Sequence, residues 1–231
     1  MLLMSVEVRD ATGRFVTRAE GRTTSHSFSF GDHYDPANIG FGLLVALNDE
    51  LLSPGTGYPD HPHADLEIVT VVLSGALRHT SSVGTAVLGP GAVQRLSAGR
   101  GVTHSEMSDA TGPTRFVQTW LSPSQAGGPP SYASGPAAPS PGLVPLVGGD
   151  GPIGIGADAR LYAGTLTGGA EFALPDAPRL HLFVTAGVLR IDDAHLGPAD
   201  TARISDEGGR QVGAVEDCRF LAWATGPAPS W

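Results

Sequence analysis

His61-Pro62-His63-Ala64-Asp65-Leu66-Glu67-Ile68-Val69-Thr70-Val71-Val72-Leu73 is the stretch from which the rest of the chain is best read. Its second half is rich in β-branched residues, which favour a pleated, half-buried strand. Its first half carries two histidines two positions apart. Some forty residues on, Thr103-His104-Ser105-Glu106 repeats that spacing with a histidine and a glutamate, after the glycine-rich turn Ser97-Ala98-Gly99-Arg100-Gly101. Side chains along a strand alternate between faces, so each pair points one way. If the two strands face a common interior, three imidazoles and one carboxylate converge. Pro62, between the two histidines, cannot donate to a strand ladder and predicts an edge, a bulge or a strand start.

Imidazole suits Fe, Cu, Ni and Zn, and a carboxylate adds a hard anionic donor. Four such ligands leave positions open on a metal that takes five or six. Open positions are where substrate or dioxygen binds, so the pattern predicts a reactive site rather than a structural staple. A structural zinc site more often uses cysteine, and Cys218 is the only one in the chain.

Outward from this stretch, short β-prone runs separated by turn residues predict an all-β chain. Residues 5–9 and 14–18 read as a hairpin around Ala11-Thr12-Gly13. Further strands are expected at residues 25–30, 41–48, 77–81, 85–88, 93–96, 102–106 and 114–121. From Ser122 to Pro145, sixteen of twenty-four residues are Pro, Gly or Ser, the composition of a linker. A second set of strands is expected at residues 153–156, 160–166, 170–173, 179–186, 188–191, 201–204 and 220–225. Phe183-Val184-Thr185-Ala186-Gly187-Val188-Leu189 parallels Val71-Val72-Leu73-Ser74-Gly75-Ala76-Leu77, but the histidine pair is missing. His181 stands near the corresponding place alone and is expected to be structural. The organisation is therefore a first domain over residues 1–122, a linker over 123–145 and a second domain over 146–231. Glu67 is expected to orient a ligand histidine, and His79 to face solvent or a neighbour. His26 and His33 are loop or strand-end residues that could line a pocket mouth. Arg100 reads as an exposed turn cation, and Cys218 as a small buried hydrophobe.

The chain carries a formal net charge of −9, and all fourteen basic residues are arginine. The absence of lysine excludes Schiff-base chemistry. An acidic chain without a basic run has no electrostatic footprint for direct nucleic-acid contact. A single cysteine fits a reducing compartment. Met1–Glu7 has no basic n-region or long apolar run, and no stretch reaches the roughly 18 apolar residues of a membrane helix. A cytoplasmic protein with no membrane partner is expected.

Beyond the ligand pattern, several further stretches resemble one family. They are Ser27-Phe28-Ser29-Phe30-Gly31-Asp32-His33-Tyr34-Asp35-Pro36, Pro54-Gly55-Thr56-Gly57-Tyr58-Pro59-Asp60-His61-Pro62-His63, Gly91-Ala92-Val93-Gln94-Arg95-Leu96-Ser97-Ala98-Gly99, His104-Ser105-Glu106 and Phe116-Val117-Gln118-Thr119-Trp120-Leu121. The two histidine motifs are similar to the double signature of cupins, and the wider match over residues 20–122 resembles the pirins. Ser131-Tyr132 resembles the family segment that crosses between the barrels and packs on them. The resemblance implies two cupin-type (jelly-roll) β-barrels in tandem, with metal in the N-terminal barrel only. It implies His61, His63, His104 and Glu106 as ligands of one divalent ion. Iron, Fe(II), is favoured, and Mn, Ni, Cu and Zn fit the same donors. It implies quercetin 2,3-dioxygenase activity: a small aromatic substrate, a flavonol, is opened by dioxygen with release of carbon monoxide, and Glu106 serves as ligand and base.

Two other readings compete. Some pirins are described as metal-dependent, redox-responsive regulators acting through protein partners. A storage or sugar-isomerase cupin would share the barrels but not the pirin-like stretches outside the ligands. Flavonol turnover by metal-loaded protein separates the first reading from both.

Overall fold

The computed structural model describes residues 5–136, 140–205 and 209–227. Residues 1–4 of the expected first domain lie outside the described residues, as do 137–139 of the expected linker and 206–208 and 228–231 of the expected second domain.

Four antiparallel sheets form two units, each with a large sheet facing a small one. In the first unit the large sheet runs, edge to edge, Ser131–Pro136, Ala92–Ser97, Glu67–Ser74, Thr114–Leu121, Leu44–Leu52, Arg22–His26 and Phe15–Ala19. Its small sheet runs Gly57–His63, Val102–Ser108, Leu77–Ser81 and Gly84–Leu88. In the second unit the large sheet runs Ser5–Arg9, Thr201–Ser205, Arg179–Ala186, Cys218–Thr225, Ala159–Leu166 and Gly142–Val147. The small one runs Glu171–Ala173, Gln211–Ala214, Leu189–Ile191 and Ala194–Leu196. The fold is all-β, in two cupin domains. No helix among the described residues is long and apolar enough to cross a membrane.

Glu67–Ser74 shows how sequence sets the layering. Six of its residues in succession are buried, because the strand is covered on both faces. Val72 points into the first barrel, packed with Leu77, Leu88 and Phe116. Val69 and Val71 point the other way, into a core shared with Phe183, Leu221 and Trp223 of the second unit. Thr114–Leu121 alternates likewise: Phe116 is inside the barrel, while Val117 and Leu121 lie at the seam. The two large sheets thus pack back to back. Trp223 also donates Nε1–H to Thr119 Oγ1 across the seam at 3.1 Å.

One expectation needs correction. Residues 5–9 and 14–18 do not form a hairpin. Ser5–Arg9 pairs with Thr201–Ser205 of the second unit, whereas Phe15–Ala19 pairs with Arg22–His26. The Ala11–Gly13 turn lets the chain change sheets: Asp10 accepts from Thr12 N at 2.7 Å, and Ala11 N donates to Asp200 Oδ1 at 2.7 Å. The crossing strand covers what would otherwise be an open sheet edge. The Pro/Gly/Ser-rich segment packs on the barrels as two edge strands. Ser131–Pro136 pairs with Ala92–Ser97, and Gly142–Val147 with Ala159–Leu166. Edge strands tolerate Pro and Gly because one side of their ladder needs no partner. Elsewhere, residues 153–156 form only a bridge at Ile153, and the short strands Ala194–Leu196 and Gln211–Ala214 carry no periodic signal long enough to read.

Candidate metal centre

The edge strand Gly57–His63 and its neighbour Val102–Ser108 place His61 directly opposite His104 and His63 opposite Val102. The register shifts between His104 and Glu106, so Glu106 lies opposite Tyr58. Within the strand this bulge re-aims side chains. The edge position anticipated from Pro62 is the one observed.

The imidazoles of His61, His63 and His104 offer ligand atoms all within 4.8 Å of one another. Ring centroids are 4.3 Å apart for His61 and His104, 4.9 Å for His61 and His63, and 5.1 Å for His63 and His104. His61 Nδ1 lies 2.8 Å from the carbonyl of Pro59, an arrangement that commits Nδ1–H to the backbone and leaves Nε2 as the free donor. Burial, with the neighbouring imidazoles adding to it, pulls His63 down to about 4 and His104 to about 3. Both rings are therefore neutral at pH 7, the form that binds metal. Neither nitrogen of buried His104 has a hydrogen-bond partner, which is costly unless something else occupies it. A metal ion fits these donors.

Glu106 is 1% exposed. Its carboxylate closes a second group with His104 and His79, again with donor atoms within 4.8 Å of one another. It meets a polar row from the opposite sheet. Gln94, Thr70 and Gln118 stand abreast on three neighbouring strands. Gln94 Nε2 donates to Oε1 of Glu106 and Gln118 Nε2 to Oε2, each at 2.7 Å. Thr70 accepts from both amides, at 3.3 and 3.1 Å. Burial raises the Glu106 pKa above the ordinary carboxylate range, and the bonds from Gln118 and Gln94 and the charge of His61 oppose that rise.

Of the two surroundings open to His79, solvent or a neighbour, the structure shows the neighbour. His79 is fully buried, stacked on Tyr132 at 4.4 Å, with Nε2 3.1 Å from Ser81 Oγ and Nδ1 unpartnered. It sits directly across the ladder from Glu106. Glu67 orients no histidine: it accepts from Ser97 Oγ at 2.8 Å and lines a cavity of about 530 Å³ with Gly156 and Asp158. His26 and His33 form a separate cluster, His26 stacked on Phe30 and His33 on Phe15. Phe30 meets Trp120 edge-on at 5.1 Å, and Trp120 meets His63 at 4.8 Å, so that cluster supports one wall of the centre. His181 is buried among Phe28, Phe41 and Arg203, far in the fold from the cluster, and Cys218 is buried and free.

Sequence reasoning also missed Glu50, 2% exposed, which accepts from Thr24 Oγ1 at 2.7 Å and Tyr58 OH at 2.8 Å. Burial pushes it up to about 7, the bonds from Thr24 and Tyr58 work against that, and the charge of Glu106 adds to it. A polar residue on an otherwise apolar strand face is the available signal: Thr70 between Ile68 and Val72, and Gln118 between Phe116 and Trp120. A shallow depression of about 530 Å³, lined by Pro62, His63, Ser82 and Thr103 among others, leads from the surface to His63.

Residues 6–121 match the family described as Pirin. The chain belongs to the pirin family. In this pirin, residues 143–223 also match the family described as Quercetinase C-terminal cupin domain. It is 43% identical over 230 residues to a Mycobacterium tuberculosis protein named "putative quercetin 2,3-dioxygenase", covering 95% of this chain and 94% of the relative. It is 31% identical to the quercetin 2,3-dioxygenase of Escherichia coli K12, covering 87% and 90%. A crystal structure of the bacterial pirin YhhW from Escherichia coli in complex with nickel(II) superposes with a TM-score of 0.92 at 28% identity, covering 97% of this chain and all of that one.

Proposed function

We propose that this pirin is a quercetin 2,3-dioxygenase whose single divalent ion is held by His61, His63, His104 and Glu106. The observation that carries the reading is the orphaned imidazole of His104. It is buried, neutral and ringed by His61, His63 and Glu106. Fe(II) is the proposed ion, since imidazole and carboxylate donors with open positions suit it. When bound, the ion supplies Lewis acidity toward the substrate's vicinal oxygens and the redox chemistry that dioxygen requires.

The chain's own residues do the rest. A flavonol enters over the depression beside His63, and the edges of Trp120 and His63 bound its aromatic system. Glu106 takes the proton of the flavonol hydroxyl. Burial raises its proton affinity, which suits a base. The apolar packing of Leu52, Val72 and Phe116 behind the site keeps water out. The products are the opened ring ester and carbon monoxide. A cytoplasmic setting is proposed with it, because a reducing compartment preserves Fe(II).

The test is oxygen uptake with quercetin by Fe(II)-loaded protein, with carbon monoxide measured in the headspace. Both are expected in the wild type and absent in His61→Ala and Glu106→Ala. Loaded wild type that consumes no oxygen with any flavonol sinks the proposal.

A further inference from the structure

We propose that Tyr132, on the segment that joins the two barrels, is a positioning residue for the metal centre, acting through Gln94 on Glu106. The inference rests on Glu106 being a metal ligand.

The two glutamines that grip Glu106 are oriented differently. Gln118 Oε1 accepts from the indole Nε1–H of Trp120 at 2.9 Å. Indole nitrogen only donates, so the amide of Gln118 is locked with its NH2 toward Glu106. Gln94 Oε1 accepts from the hydroxyl of Tyr132 at 2.9 Å. That hydroxyl is the side-chain donor that holds the amide the right way round on this flank. Tyr132 reaches the site from Ser131–Pro136, added at the edge of the large sheet beside Ala92–Ser97. Its ring lies flat on His79, with 15° between the planes. The slot is shaped for it: any side chain at Gly84 would collide with the Tyr132 ring. Behind it, Gln94 is 1% exposed, so no bulk water is available to replace the lost donor. A turned amide would present oxygen to a carboxylate. The crossing segment, which also leads into the second barrel, is thereby tied by two hydrogen bonds to the group that would hold the ion.

The experiment titrates Ni(II) alone against a chromophoric chelator for wild type, Tyr132→Phe, Gln94→Leu and the double variant, with Co(II) absorption as an independent readout of coordination. Phe keeps the stacking on His79 and removes only the hydroxyl. Partners behind a metal ligand typically carry 10–100-fold of affinity. The Ni(II) Kd should therefore rise about 10-fold in Tyr132→Phe and about 10–100-fold in Gln94→Leu, with the Co(II) bands shifted in both. The double variant should bind no more weakly than Gln94→Leu, because Tyr132 acts through Gln94. Unchanged Kd and Co(II) bands in Tyr132→Phe overturn the inference while leaving the metal centre intact. Multiplying effects in the double variant overturn the relay. A wild type that binds neither ion overturns the metal-centre reading together with it.

Discussion

Replacing Glu50 by Gln should make metal-free protein more stable at alkaline pH and leave it nearly unchanged in acid. Glu50 is held at about 7 in the fold against an ordinary value of 4.5. Between those values the folded state binds the proton and the unfolded chain has lost it, so stability falls as pH rises through that window and levels off above 7. At roughly 1.4 kcal/mol per pH unit, the ionised carboxylate costs the fold about 3 kcal/mol at pH 8 and less than about 1 kcal/mol at pH 5. Gln keeps the acceptor for Thr24 and Tyr58 without the charge. Urea denaturation at both pH values should show Glu50→Gln gaining about 2–3 kcal/mol on wild type between pH 5 and 8. His63, His79, His104 and His181, drawn down to about 4, 4, 3 and 3, act in the opposite sense, removing stability as pH falls below 6.5. They are present in both proteins and cancel in the difference. Loading the ion should narrow the gap, because the Glu106 charge that helps raise Glu50 is then neutralised. A difference between the two proteins that stays within about 0.5 kcal/mol across this range would falsify the assignment of Glu50 as a carboxylate penalised by burial.

Gly57→Ala would drive a Cβ into the Glu106 carbonyl and Met107. A loss of about 1–3 kcal/mol in urea denaturation is expected, with weaker Ni(II) binding though no ligand is altered; an unshifted midpoint would contradict the register. Trp223→Ala should cost about 3–5 kcal/mol, since Trp223 is 1% exposed in the shared core; a loss below 1 kcal/mol would mean that the barrels do not depend on that seam. His181→Leu removes a buried imidazole pulled down to about 3 by burial and the nearby arginines. The variant should therefore lose less stability than wild type between pH 6.5 and 4, and parallel acid curves would count against it.

Local pattern was enough for the all-β class, the H-x-H and H-x-E pairs and the relation between the halves. Each rests on period-two alternation or on turn residues, which a chain displays without folding. The hairpin assigned to residues 5–18 failed because a turn specifies that the chain reverses, not which sheet receives the next strand. The Pro/Gly-rich segment hid an edge strand because edges tolerate the residues that mark linkers. For His79 the sequence left solvent and a neighbour both open, because Leu77–Ser81 has polar residues on both sides of it; only the facing sheet shows which face is inside.

By itself the sequence supplied the candidate donors. Three histidines and a glutamate at strand spacing are a chemical composition, and composition needs no coordinates. Only the tertiary structure decided how Glu106 is held. Gln94, Thr70, Gln118, Glu50, His79 and Tyr132 reach the centre from separate strands, and cross-strand neighbours are set by register and sheet order. No local stretch of chain encodes that juxtaposition.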